Sequence, residues 1–213
     1  MYASKGAIRA EVDNKSWLIP PRRGLWIPAK APHRLDRSAN LQLRTLYVRP
    51  ELVPARVRAL AVNVSGLLHE AIMRVCAQNY LDDREATDRH LGAIILHEME
   101  QSSSPAITLT FPRDARARKL ASLFLEPDTV EAPLETLCAE AGLSRRTAER
   151  AFERETGVAP GQWRRFAALS QSLVNIAGGM KIEHAALAAG YQSRSAFSDA
   201  FAKTFGFPPG RAR

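Results

Sequence analysis

The stretch CAEAGLSRRTAERAF, residues 138–152, recurs as ALAAGYQSRSAFSDAF, residues 186–201. Gly142 matches Gly190 at an offset of 48 residues, whereas Ser144 and Ser193, Phe152 and Phe201, Gly157 and Gly206, and Pro160 and Pro209 match at 49. The second copy therefore carries one extra turn residue. Each copy reads as a helix, a glycine turn and a second helix. In the first, Leu134, Leu137 and Ala141 supply a short apolar face, Gly142 supplies the positive φ that ends a helix, and Ser144 is a good N-cap for the next. Small residues stand where the helices must approach closely: Ala139 and Ala141 in one copy, and Ala185, Ala186, Ala188 and Ala189 in the other. This is the pattern of a helix-turn-helix, whose second helix enters the DNA major groove.

The exposed faces follow from the periodicity. Over 144–155, Ala148, Ala151 and Phe152 fall on the inner face, leaving Arg145, Arg146, Glu149, Arg150 and Arg154 outward. Over 193–204, Phe197, Ala200 and Phe201 point inward, leaving Arg194, Ser195, Ala196, Ser198, Asp199 and Lys203, with Ser193 at the cap. Arginine pairs bidentately with guanine, and short polar or methyl-bearing side chains suit other base edges. A single charged helix face would be read as a solvated surface. Two copies about 49 residues apart favour nucleic-acid recognition instead. Between them, Pro160 opens a long helix to Ala177 with Trp163, Phe166, Leu169 and Leu173 on one side. A rigid connector would hold two recognition helices at a fixed spacing, as successive major-groove entries about 34 Å apart require.

Upstream the period changes. Residues 7–12, 16–19, 25–27 and 41–48 alternate in short stretches punctuated by Pro20, Pro21, Pro28 and Pro32, and read as antiparallel strands. Leu67, Leu68, Ala71, Ile72 and Val75 recur at helical spacing, as do Leu91, Ile94, Ile95 and Met99, which predicts helices over 65–78 and 84–101. Ser102 to Pro105 breaks the second; a short strand over 107–109 and a helix over 113–125 follow. The expected division is 1–50, a β segment; 51–112, a helical linker suited to dimerisation; and 113–213, the all-α region.

Of 213 residues, 24% are charged and 46% hydrophobic, which excludes disordered and fibrous classes. The net charge of +8 suits a polyanionic partner. It does not locate the contact, because residues 1–112 and 113–213 each hold 15 basic and 11 acidic residues. Cys76 and Cys138 are too few for a disulfide framework, residues 1–15 lack an apolar leader core, and no run is long enough to span a bilayer. A cytoplasmic protein without membrane association is expected. No phosphate loop, nucleophile elbow or CxxC pair occurs, so no catalytic residue or cofactor is assigned.

The sequence resembles the AraC/XylS family of bacterial transcription regulators over roughly 113–213. The residues that carry the resemblance are Ala141 to Ser144, Arg150 to Phe152, Glu155 to Pro160, Ala188 to Tyr191, Ser195 to Phe197 and Phe205 to Pro209. The resemblance implies a sequence-specific regulator that binds double-stranded promoter DNA, with RNA polymerase, a small-molecule effector and a second copy of the chain as further partners. By the same match, Arg146, Glu149 and Arg150 read bases in one groove, and Arg194, Ser195 and Asp199 face the next. Asp199 departs from the pattern, since many members carry Arg there. So does Ser170-Gln171-Ser172 in the connecting helix, a stretch usually rich in Arg and Leu. The chain also stops at Arg213, where members usually run on into a last helix that steadies the second recognition helix.

Trp26 to His33, with the strands around it, is similar to the cupin-type sensory domain of one branch of the family. Members begin that barrel earlier, so Met1 to Ala3 is expected to enter partway through a strand and leave an open edge. The implied fold class is α+β: a partial cupin-like antiparallel barrel with linker helices, then two helix-turn-helix units joined by a long helix. The alternative is a metal- or ligand-binding cupin protein, such as an enzyme, with a helical interaction domain. Only His33 matches a cupin ligand, and His69, His90, His97 and His184 have no chelating spacing, so no metal site is expected.

Overall fold

The structure, a computed structural model, describes residues 1–13, 15–36, 41–53, 58–102 and 107–212. These fall into two compact units: Met1–Asp13 with Trp17–Ile107, and the chain from Thr108 onward together with Lys15 and Ser16.

The first unit has three layers. Strands β1 (Tyr2–Lys5), β4 (Arg23–Trp26), β6 (Gln42–Arg44) and β7 (Leu60–Asn63) form an antiparallel sheet in the order β6-β1-β4-β7. The second sheet runs β5 (His33–Asp36), β2 (Ile8–Val12), β3 (Lys15–Ile19) through this unit. Successive side chains on a strand point to opposite faces. Ala3, Leu25 and Ala61 thus join Ile8, Ala10, Val12, Trp17 and Ile19 in a core between the sheets. Their neighbours Tyr2 and Val62 face the other way and pack with Leu68, Ala71, Ile72 and Val75 of α1 (Gly66–Gln78) and Ile95 of α2 (Ala86–Gln101). Each large aliphatic buried there contributes about 1.5–3 kcal/mol. Ser65 caps α1, accepting from Leu68 N at 3.1 Å, and its hydroxyl donates to Glu98 on α2.

Several expectations change here. Strands β1, β5 and β7 are not announced by the sequence, because each has only four residues, too few to show an alternation. The strand expected over 41–48 shrinks to Gln42–Arg44, and Tyr47 is 96% exposed. Residues 51–112 are not a separate helical segment: β7 pairs along β4, from Arg23↔Asn63 to Trp26↔Leu60, so this stretch completes the sheet begun before residue 50. The expected open edge at Met1 to Ala3 is also absent. β1 is an inner strand, with Tyr2 opposite Gly24 on one side and Arg44 on the other, and Leu25 N donates to Met1 O at 2.8 Å. The break read at Ser103 to Pro105 lies outside the described residues.

The second unit takes up the chain at Thr108, within β8 (Ile107–Thr110), and continues with α3 (Ala115–Leu123), α4 (Leu134–Glu140), α5 (Arg145–Thr156), α6 (Pro160–Ala177), α7 (Ile182–Ala188) and α8 (Arg194–Phe205). The change of unit comes before Pro112, because Phe111 and Thr110 already belong to this core. Trp163 Nε1 donates to Thr110 O at 2.8 Å, and its ring packs edge-on to Phe111 at 5.4 Å and to Phe152 at 5.9 Å. Arg164, next along α6, donates to Ala132 O at 2.8 Å, to Val130 O at 2.6 Å and to Thr129 O, and lies over the Phe124 ring. The first turn of α6 is thus built into the first helix-turn-helix. Further along, Phe166 meets Phe205, which packs edge-on to Phe201 at 4.6 Å. The support expected of a further helix comes from Phe207, 5.8 Å from Phe201, and from buried Pro209 and Ala212 in a closing 3-10 turn. Cys138 is core, as expected, and Cys76 is half-buried against the helical cluster.

Candidate nucleic-acid interface

The two copies share their backbone as well as their letters. Gly142 has φ +75° and Gly190 φ +80°, so each turn uses the left-handed region that disfavours side chains. The chain then closes alike, Leu143 N donating to Cys138 O at 2.9 Å and Tyr191 N to Ala186 O at 3.0 Å. Ser144 accepts from Thr147 N and Ser193 from Ala196 N, both at 3.2 Å. Gly157 and Gly206, at φ +78° and +77°, end α5 and α8. Ala148, Ala151 and Phe152 are buried in α5, and Phe197 and Phe201 in α8, whereas Ala200 is only partly covered.

On α5, Arg145, Arg146, Arg150 and Arg154 are exposed and Glu149 is partly covered. They are not equivalent. Arg145 Nε donates to Glu149 at 2.9 Å, while its Nη1 reaches Glu135 at the start of α4, and these two carboxylates hold the guanidinium charged. Arg154 donates to Glu155, whose carboxylate also takes the backbone N–H groups of Arg113 at 2.6 Å and Asp114 at 3.0 Å. The Arg154 bond and those two amides hold the Glu155 carboxyl at about 2, well below its usual range. Arg145 and Arg154 are therefore engaged with the protein, whereas Arg146 and Arg150, one turn apart on the same stripe, have no ion-pair partner among the described residues.

On α8, Arg194, Ser195 and Asp199 are exposed, with Lys203 two turns on and Ser198 partly covered. Ser193 serves as the cap. Arg194 Nη1 donates to Glu183 at 2.7 Å, the counterpart of the Arg145–Glu135 bond. α8 thus offers short side chains and one acidic group where α5 offers two uncommitted guanidiniums. Sequence reasoning missed Glu135, Glu183, Glu155 and Arg164. The first two had a signal, since PLE at 133–135 and KIE at 181–183 place Glu at the same point of both copies.

No group of three His, Cys, Asp or Glu suited to a metal ion occurs among the described residues, and His33 is exposed with Nδ1 3.0 Å from Ala31 O. No helix of the described residues is long and apolar enough to cross a membrane.

The family profile of a helix-turn-helix domain matches residues 137–213. The chain is 26% identical over 211 residues to the HTH-type transcriptional regulator NimR of Escherichia coli, covering 99% of this chain and 77% of NimR. Among solved structures it is similar to a transcriptional regulator with an AraC-type DNA-binding domain from Chromobacterium violaceum, at 25% identity over 46% of this chain and 88% of that one, with a TM-score of 0.42. It is also similar to unsaturated fatty acid-bound ToxT from Vibrio cholerae, at 16% identity over 99% of this chain and 84% of that one, with a TM-score of 0.44.

Proposed function

We propose that this chain, a DNA-binding transcription regulator of the AraC helix-turn-helix type, reads two successive major-groove segments of promoter DNA with α5 and α8. The observation that carries this is the repeated geometry. Two glycine turns of the same conformation, each followed by a serine-capped helix with a buried apolar stripe, present two charged or polar faces from one unit.

The division of labour follows from the side chains. Arg146 and Arg150 are the base-edge readers, suited to guanine N7 and O6. Arg145, Arg154, Arg194 and Lys203 place the helices on phosphates, and their attraction is strongly salt-dependent. Ser195, Ser198 and Asp199 make a weaker second reader, with Asp199 accepting from cytosine N4 where it meets a C·G pair. The first unit is the sensory part and binds a small-molecule effector. A homodimer formed through the α1–α2 region, contact with RNA polymerase, a cytoplasmic location and the lack of a catalytic role belong to the same reading.

Anisotropy of labelled promoter duplexes, titrated across salt, tests it. Affinity should fall steeply with salt and distinguish one fragment from a scrambled duplex; a flat salt response, or equal affinity for every duplex, would sink the proposal.

A further inference from the structure

On the face of sheet β6-β1-β4-β7 turned toward α1 and α2, directly paired residues place Arg44, Tyr2, Gly24 and Val62 in one row. Gly24 leaves a notch in that row: a Cβ there would stand 3.2 Å from Met1 O and 3.6 Å from Val64 Cγ2. Above it lies a cavity of about 60 Å3, roofed by Leu68 and Ile72 of α1 and Met99 of α2. The layer between the two sheets is occupied by its own apolar core, so this opening lies outside the barrel interior.

Its walls are apolar, with Trp26 and Arg44 among the lining residues. Trp26, two residues after Gly24 and on the same face, has a buried Nε1 without an acceptor among the described residues. Arg44 is half-buried; its Nη1 donates to Leu43 O at 3.2 Å, and it has no carboxylate partner among the described residues. The Tyr2 hydroxyl is engaged with His69 Nδ1 at 2.9 Å. One guanidinium matches one negative charge, whereas a dianion would bury a second charge without a partner.

We infer that the cavity between this sheet and the α1–α2 pair binds a small monocarboxylate, its head group on Arg44 and its apolar body beside Trp26 and under Leu68, Ile72 and Met99. This rests on the sensory reading of the first unit and names the site and ligand class. Because the floor belongs to the sheet and the roof to α1 and α2, the ligand would tie these layers together.

The test uses the full chain labelled with 15N, butyrate as the probe and butyramide as its uncharged match. The three tryptophans give three indole N–H signals, and Trp26→Phe identifies the one that matters. Butyrate should shift the Trp26 signal saturably, with butyramide at least about tenfold weaker, the difference expected of a charge-assisted bond. Arg44→Met should weaken butyrate by about tenfold and Arg44→Lys by less, with the Trp17 and Trp163 signals unmoved as evidence of an intact fold. Equal response to both probes, no saturable shift, or full affinity in folded Arg44→Met would each overturn the site. The DNA titration is separate: saturable butyrate binding that leaves promoter affinity unchanged would support the site and overturn its effector role.

Discussion

Arg194 at the first turn of α8 donates to Glu183 at the first turn of α7 across 2.7 Å, and Arg145 of α5 is joined to Glu135 of α4 in the same way. Each bond ties the first turn of a recognition helix to the first turn of its supporting helix, across the angle that the glycine turn makes between them. Both pairs are well exposed, so each is worth no more than about 1 kcal/mol. Replacing both carboxylates, Glu135→Gln with Glu183→Gln, should barely move the urea midpoint. The freed guanidiniums should steepen the dependence of log affinity on log salt by about one unit per arginine that gains a phosphate. An unchanged slope would mean that releasing the two arginines adds no phosphate contact.

Arg146 and Arg154 separate base reading from support. Arg146→Ala should cost about 1–3 kcal/mol on the preferred duplex and flatten the preference at one base pair, with little effect on stability. Arg154→Ala should weaken all duplexes alike and also loosen the hold of Glu155 on the amides of Arg113 and Asp114. Competition titrations with single-base variants distinguish the two; a uniform loss for Arg146→Ala would make it a phosphate contact.

Glu155 makes stability depend on acid. Its carboxyl is held at about 2 in the folded protein against 4.5 as a free group. The folded state thus binds the proton less tightly, and the stabilisation is full above about 4.5 and disappears as pH falls through 2. Glu155→Ala should cost about 1 kcal/mol at pH 7, the scale of a lost hydrogen bond, with the gap to the parent closing as the pH approaches 2. Urea unfolding at pH 7 and pH 3 provides the comparison, and a gap that does not shrink would assign the loss to packing.

The two turn glycines should differ in their tolerance of alanine. Each has a left-handed φ, which costs an L side chain roughly 1–2 kcal/mol. A Cβ on Gly142 would meet nothing nearer than Arg116 Cδ at 3.8 Å, whereas one on Gly190 would stand 3.0 Å from Val130 Cγ1. Gly190→Ala should therefore lower the melting temperature by more than Gly142→Ala. The reverse order would show that the 130 region yields easily.

Much of the second unit was legible because its punctuation is local. Pro160 and Ala177 bound α6 where sequence places them, and the repeat locates α5 and α8 from their serine caps and terminal glycines. The first unit was less so. β5 and β7 owe their structure to partners elsewhere in the chain, His33 pairing with Val12 and Asn63 with Arg23, and no short-range pattern announces such ladders. The candidate site divides along the same line. That the arginines of α5 face outward follows from a 3.6-residue period, but which of them are engaged depends on Glu135 and Glu155. Glu155 holds amides of residues 113 and 114, some forty positions earlier, and nothing local marks that contact.

The α6 helix, 18 residues and about 27 Å long, contributes Trp163 and Arg164 to the core of one helix-turn-helix and Phe166 to the aromatic packing of the other. Neither copy owns its own hydrophobic interior outright. They should melt as one cooperative body, so that amides in α8 exchange with solvent at nearly the same free-energy level as those in α5. Damage to the Trp163 cluster would then be felt in the recognition helix that does not touch it. Selection on either half of the DNA site would in that case act on a stability held in common.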